Sequence, residues 1–261
     1  VIEYLIMIIN KKRFQECIIY NRFFYSIHMR VEPPKIIFLM IDENIQGREM
    51  ISRFLDFHVP IKAVIIEHKS KLAERIKKTY LKNSFYNPKP IIEICKSKNI
   101  KIHYVENHNE KQCEQILTEY KPDYIILGGT RILKEHIINK AKFGVLNAHP
   151  AILPKYQGLD CVAWSILNND PVGVTVHLID TGVDSGPIIH QEIIDYSDCK
   201  KLIEIRIKLM KKCAGLMIKS LIGLEMGTLK PIKQNTDLGI NHPEIPEEKL
   251  ELVNKILQEK K

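Results

Sequence analysis

The stretch GVLNAHPAILPKYQGLD, residues 144–160, holds an apolar run that stops at an Asn, a His and a Pro. Its first six residues are short and mostly apolar, as expected of a strand buried on both faces. Side chains two apart on a strand share a face, so Asn147 and His149 project together while Ala148 points away, and Pro150 ends the hydrogen-bond ladder. A single His at a strand end is ordinarily a satisfied polar residue. An Asn beside it changes the chemistry. The amide supplies a neutral N–H donor next to a ring that serves as acid or base, the pairing that stabilises a developing oxyanion while a proton moves.

Working outward, similar strand-like segments precede this one: KIIFLMI (35–41), KAVIIEH (62–68), KIHYVE (101–106) and YIILGG (124–129). Helix-length amphipathic stretches such as EKQCEQILTEY (110–120) separate several of them. That alternation predicts an α/β fold, a Rossmann-like doubly wound and mostly parallel sheet with helices on both faces. After residue 160 the rhythm changes. GVTVHLI (173–179) and PIIHQEIID (187–195) are joined by DTGVDSG, with no room for a crossover helix, which predicts an antiparallel hairpin beside the central strands. A long helix ends at Gly227, followed by an extended TLKPIKQN (228–235) and a terminal helix from Glu247. No internal repeat or low-complexity linker interrupts the pattern. The expected organisation is an N-terminal arm over 1–30, a catalytic domain over 31–235 and a C-terminal helical tail over 236–261.

Composition narrows the class. With 45% hydrophobic and 27% charged residues the chain has a globular profile. The first thirty residues contain an apolar run too short to span a membrane, with basic residues following it instead of preceding it as in a secretory signal. Its net charge of +8 comes from lysines scattered through amphipathic segments, which reads as solvated helix faces and not as a nucleic-acid stripe. Six well-separated cysteines without a C-x-x-C pair predict reduced thiols in a cytoplasmic protein.

Asp184 lies on the turn after the 173–179 strand. With that hairpin beside the Asn147 strand, its carboxylate would reach the His149 ring, orient it and raise its pKa by favouring the imidazolium. The combination of Asn-x-His-Pro at a strand end, Leu-Pro-x-Tyr-x-Gly close behind, a Gly-x-Thr-Val-His strand and an Asp-x-Gly turn resembles the 10-formyltetrahydrofolate-dependent formyltransferases. These include glycinamide ribonucleotide transformylase, methionyl-tRNA formyltransferase and the sugar N-formyltransferases. The resemblance runs over roughly residues 35 to 235 and is strongest from about 124 to 195.

It implies that Asn147, His149 and Asp184 form the catalytic trio, with Asn147 and a protonated His149 donating to the oxygen of a tetrahedral intermediate. It implies a folate pocket built largely from backbone at Thr130, Arg131, Ile132 and Leu133 and at Asp180, Thr181, Gly182 and Val183, acceptor contacts at Tyr156 and Gly158, 10-formyltetrahydrofolate as co-substrate, and no metal. Residue types next to these have plainer explanations. His177 either faces the site or packs under it, with a structural role the plainer reading; Trp164 reads as a core residue of the helix after Gly158, and Gly158 as a helix-entry turn or a close approach to the acceptor.

The acceptor is less legible. A phosphate-bearing purine precursor needs a small-residue loop after the first strand, and this chain has IDENIQGREM there, with Asp42 and Glu43 repelling an anion. A tRNA acceptor is disfavoured by the short stretch after the long helix, and a formyltetrahydrofolate hydrolase by the absence of room for an ACT domain in residues 1–34. A non-catalytic Rossmann-like binding module lacks a G-x-G-x-x-G after the first strand. A small-molecule amine such as an amino sugar on a nucleotide is the expected partner.

Overall fold

The strand β1 (Ile36–Ile41) shows why the apolar runs carry no alternation. All six side chains are buried, Ile36, Phe38 and Met40 in one hydrophobic cluster and Ile37 and Leu39 in another on the opposite face. The computed structural model describes residues 33–68 and 89–259, so the expected arm over 1–30 lies outside the described residues.

Helix α1 (Ile45–Asp56) starts where the Asn44 side chain accepts from the backbone N–H groups of Gln46 and Gly47, and it buries Met50, Ile51 and Phe54 against β1. β2 (Ile61–Glu67), α2 (Ile91–Ser97), β3 (Lys101–Val105), α3 (Lys111–Tyr120), β4 (Tyr124–Leu127), α4 (Glu135–Ile138) and β5 (Gly144–His149) follow. Next come β6 (Tyr156–Gly158), α5 (Cys161–Leu167), β7 (Gly173–Leu178), β8 (Ile188–Ile193), α6 (Leu202–Glu225), β9 (Ile240–His242) and α7 (Glu247–Glu259). The sheet order is β3-β2-β1-β4-β5-β7-β8. The first five strands are parallel, and β7 and β8 run antiparallel as the hairpin expected from the sequence. The chain reverses its direction of winding between β1 and β4, so the crevice at the carboxyl ends of β1, β4 and β5 is where such sheets bind ligands.

Two observed features set the walls of that crevice. The regular strand β4 ends at Leu127, but Gly128 N–H still donates to the Leu39 carbonyl and the Gly129 carbonyl accepts from Ile41 N–H, each at 2.8 Å, while Gly128 packs on Gly47 of α1. A Cβ on Gly128 would stand 2.6 Å from the Gly47 Cα, and Gly129 follows with φ +86°. The second feature is the C-terminal segment. It contains the expected helix as α7, which buries Val253 and Leu257, and before it a strand the sequence did not suggest, β9, which pairs in parallel with β6. The amphipathic period of α7 was visible, but a three-residue strand has no periodicity to read. Cys95, Cys113, Cys161, Cys199 and Cys213 are free and buried, and none of the described helices is long and apolar enough to cross a membrane.

Leu257 is fully buried. Leu257→Ala should therefore cost about 2–4 kcal/mol in urea unfolding, as removal of a packed core side chain does. A loss below about 0.5 kcal/mol would mean that α7 is solvated and undocked.

Candidate active site

β5 delivers Asn147 and His149, and its antiparallel neighbour β7 places His177 opposite Asn147 and Thr175 opposite His149. The turn after β7 then brings Asp184 back over these side chains. Asp184 adopts φ +50°, a conformation that residues with a side chain rarely take. Three groups face its carboxylate: the backbone N–H of Gly158, which donates to it at 3.0 Å, His149 Nδ1 at 3.5 Å and His177 Nε2 at 3.6 Å. Gln234 Nε2 donates to the backbone carbonyls of Asp184 and Gly186 at 2.9 and 2.6 Å, fixing the turn from below. Burial alone would raise the Asp184 carboxyl, but His149, His177 and the Gly158 N–H outweigh it and hold the group at about 2.

Tautomers follow from the acceptors. His177 Nδ1 faces the Leu178 carbonyl at 2.8 Å and so carries the proton, which leaves Nε2 to accept from Asn147 Nδ2 at 3.2 Å. That bond turns the Asn147 NH2 group toward the ring, so the fully buried His177 orients Asn147 and stands beside Asp184. Of the two readings of His177, the structure favours the one in which it faces the site. Only the β5–β7 register puts it there. His149 Nε2 donates to the Tyr156 carbonyl at 2.8 Å, turning Nδ1 to Asp184. Contrary to expectation, the His149 pKa is lowered: burial is the largest influence, His177 adds to it, and attraction to Asp184 and the bond to Tyr156 offset it only in part. The ring is thus a neutral base whose vacant Nδ1 faces a fixed carboxylate.

The other expected site residues divide. Thr130, Arg131, Ile132, Leu133, Asp180, Gly182 and Val183 line a cavity of about 500 Å³ that opens onto Asn147, His149 and Asp184. Thr181 is exposed and does not line it, and Asp180 is bound within its own turn by Gly182 N–H and the Ser185 hydroxyl at 3.0 and 2.7 Å. Tyr156 departs from its expected role in acceptor contact. Its side chain is buried, hydrogen-bonded to Asp170 and stacked on His242 at 4.9 Å, and it serves the site through its carbonyl. Gly158 is needed for a close approach, but to β9: a Cβ there would stand 2.3 Å from Asn241 Oδ1. Trp164 is half-buried beneath the C-terminal segment, with its indole N–H donating to the Pro243 carbonyl at 3.0 Å. Gln46, not foreseen, bonds the Ala148 carbonyl at 2.8 Å and borders this cavity and a second one.

That second cavity, about 230 Å³, meets the first at Gln46, His149, Pro150, Gly158 and Leu159 and is bounded farther on by Asp160 and Arg206. Arg206 NH2 donates to Asp160 Oδ1 at 2.8 Å. Among the described residues no group of three or more His, Cys, Asp or Glu side chains is arranged to hold a metal ion.

A buried imidazole, an oriented amide and a buried carboxylate thus meet where two cavities join at the carboxyl edge of an α/β sheet. Residues 34–215 match the formyl transferase family model, and the chain belongs to that family. Over 112 residues it is 35% identical to a methionyl-tRNA formyltransferase of Solibacter usitatus, covering 42% of this chain and 36% of that protein. With the Clostridium tetani methionyl-tRNA formyltransferase it shares 30% over 151 residues, 57% of this chain and 49% of that one. The chain therefore spans about half the length, or less, of the curated relatives it matches. In fold it is similar to an N-formyltransferase from Helicobacter canadensis in complex with folinic acid and dTDP-3-aminofucose (TM-score 0.60, 20% identity, 87% of this chain and 80% of that one). Glycinamide ribonucleotide transformylase 1 from Symbiobacterium toebii shares the fold as well (TM-score 0.59, 16% identity, 78% and 96% covered).

The Asp184 carboxyl stands at about 2 against an ordinary 3.8, so its contribution is fully present above about pH 4 and is lost as pH falls through 2. A shift of this size corresponds to about 2 kcal/mol. Urea midpoints of wild type and Asp184→Asn, measured between pH 5 and 2, should converge by about that amount in acid, and parallel curves would show that the carboxylate is not held in this way.

Proposed function

We propose that the protein transfers the formyl group of 10-formyltetrahydrofolate to the primary amine of a small hydroxylated acceptor, of which an amino sugar is the natural case. One observation carries this reading: His149 sits at the junction of two cavities of unequal size. The larger falls in the roughly 300–1,000 Å³ range of sites that enclose a cofactor-sized ligand, and its mixture of apolar side chains and backbone suits a folate. The smaller holds one ring or a chain end.

The residues have separate tasks. The acceptor amine attacks the formyl carbon, a C–N bond forms, and the bond from that carbon to N10 breaks. Asn147, its amide set by His177, donates to the oxygen that becomes negative. His149 takes the amine proton at Nδ1, where Asp184 stabilises the imidazolium, and the proton then passes to N10 as it leaves. The oxyanion contact from a protonated His149 thus becomes available once the amine has supplied the proton that burial withholds at rest.

The smaller cavity bears on the chemistry of the acceptor. The first N–H groups of α1, which would cradle a phosphate, are already bonded to Asn44, and Glu43 stands beside them paired with Arg48 at 2.9 Å. Asp160 and Arg206 present an acceptor and a donor side by side, a neutral pair suited to adjacent hydroxyls. The similarity to methionyl-tRNA formyltransferases favours a second reading, an aminoacyl-tRNA acceptor. It predicts binding that collapses between about 50 and 200 mM salt, whereas a small sugar amine would give a shallow slope.

A screen of amines with 10-formyltetrahydrofolate, read by absorbance of the released tetrahydrofolate, tests the proposal. Formate release without any amine would indicate a hydrolase instead. Asn147→Ala should lower kcat about a hundredfold or more with folate affinity retained, because its bond strengthens in the transition state. Arg206→Ala should instead raise the acceptor KM about tenfold with kcat nearly unchanged, and an unaltered KM would remove Arg206 from acceptor recognition. In acid, kcat/KM should decline below an apparent pKa under 6.5, since His149 is lowered from that value.

A further inference from the structure

Glu67, the last residue of β2, is a completely buried carboxylate that borders neither cavity. Arg131 grips it with both edges of the guanidinium fork, Nε donating to Oε2 at 2.8 Å and NH2 to Oε1. The His108 backbone N–H donates to Oε2 at 3.1 Å, and the His108 ring lies 3.3 Å from the same oxygen. The neighbouring Asn109 reaches the same loop twice: its Nδ2 donates to the Ile132 carbonyl at 2.9 Å and its Oδ1 accepts from Lys134 N–H at 2.7 Å. His136 Nε2, on the far side of the loop, donates to the Asn109 carbonyl at 3.1 Å.

These contacts converge on residues 131–136, and Arg131, Ile132 and Leu133 form one wall of the larger cavity. The loop needs outside support. It leaves the sheet after Gly129, whose carbonyl accepts from Ile41 N–H of β1 at 2.8 Å, and beyond that point Ile132 is 65% exposed. An apolar residue at position 67 would be at least as stable as a buried ion pair, whereas a bidentate pair fixes the plane and position of Arg131. Burial would raise the Glu67 carboxyl, yet His108 and Arg131 hold it at about 2, so the clamp is charged throughout the neutral range.

We propose that Glu67 and Asn109 are positioning residues that preorganise the 130–134 loop to receive the folate, although neither borders the cavity. The inference rests on the folate reading of the larger cavity. Preorganisation removes the cost of ordering a loop at the moment of binding, so loosening the clamp should appear in folate affinity and not in the chemical step.

The full chain and two variants, Glu67→Gln and Asn109→Ala, are titrated with folinic acid, and hydrogen exchange is followed over residues 129–134. Asn109 makes its bonds near the surface, so Asn109→Ala keeps the test open if Glu67→Gln does not fold. In each folded variant the folinic acid Kd and the folate KM should rise about tenfold, kcat at saturating folate should stay within about twofold, and the Lys134 amide should lose protection. Unchanged affinity and unchanged exchange in Asn109→Ala would overturn the inference. So would a parallel fall in kcat and global stability, which would make the residue structural only. Failure of the wild type to bind folinic acid would refute the folate reading instead, and the exchange contrast would still decide whether the clamp exists.

Discussion

The Asp184 carboxylate is the interaction on which the site depends, because it joins three separately formed parts of the chain: β5 through His149, β7 through His177, and β6 through the Gly158 N–H. An unpaired carboxylate in such a place would cost several kcal/mol. The surroundings are arranged around that cost. Two imidazoles and a backbone donor face the oxygens, Gln234 holds the turn, and Gly158 can take part only because it lacks a Cβ against β9. The C-terminal segment therefore belongs to the active-site scaffold even though none of its side chains touches the carboxylate.

Competition between burial and charge sets the state of His149. A carboxylate 3.5 Å away favours the imidazolium, but the enclosed ring loses more by desolvation than that attraction returns. The outcome is a base that is neutral at rest and becomes an ion pair on taking a proton. Tyr156 contributes by holding Nε2 through its carbonyl, so the vacant nitrogen faces the carboxylate.

The chemistry around the crevice is set by the elements that flank the sheet. Here α1 satisfies its own N-terminal donors with Asn44, removing an anion site at the point where the sheet topology would otherwise offer one. The charged groups at the far end of the smaller cavity are Asp160, just before α5, and Arg206 of α6, bonded to each other. On the opposite side, contacts from β2 and the segment after β3 brace the loop that follows β4. The two cavities are thus shaped by different elements and meet only at the rim beside His149.

Much of this was legible in the sequence. The buried parallel strands follow from apolar runs without alternation, the hairpin from a connection too short for a helix, and the shared face of Asn147 and His149 from a two-residue period. Asp184 was identifiable from its motif. What the sequence could not specify were relations between distant segments. The β5–β7 register placed His177 against Asn147, and the β6–β9 pairing explained Gly158 and turned Tyr156 inward. The sign of the His149 shift depended on how completely the fold encloses the ring. Local patterns encode which face a side chain takes, because backbone geometry repeats every two or 3.6 residues. Partners, burial and pKa values arise from contacts across the chain, and only the tertiary structure decides those.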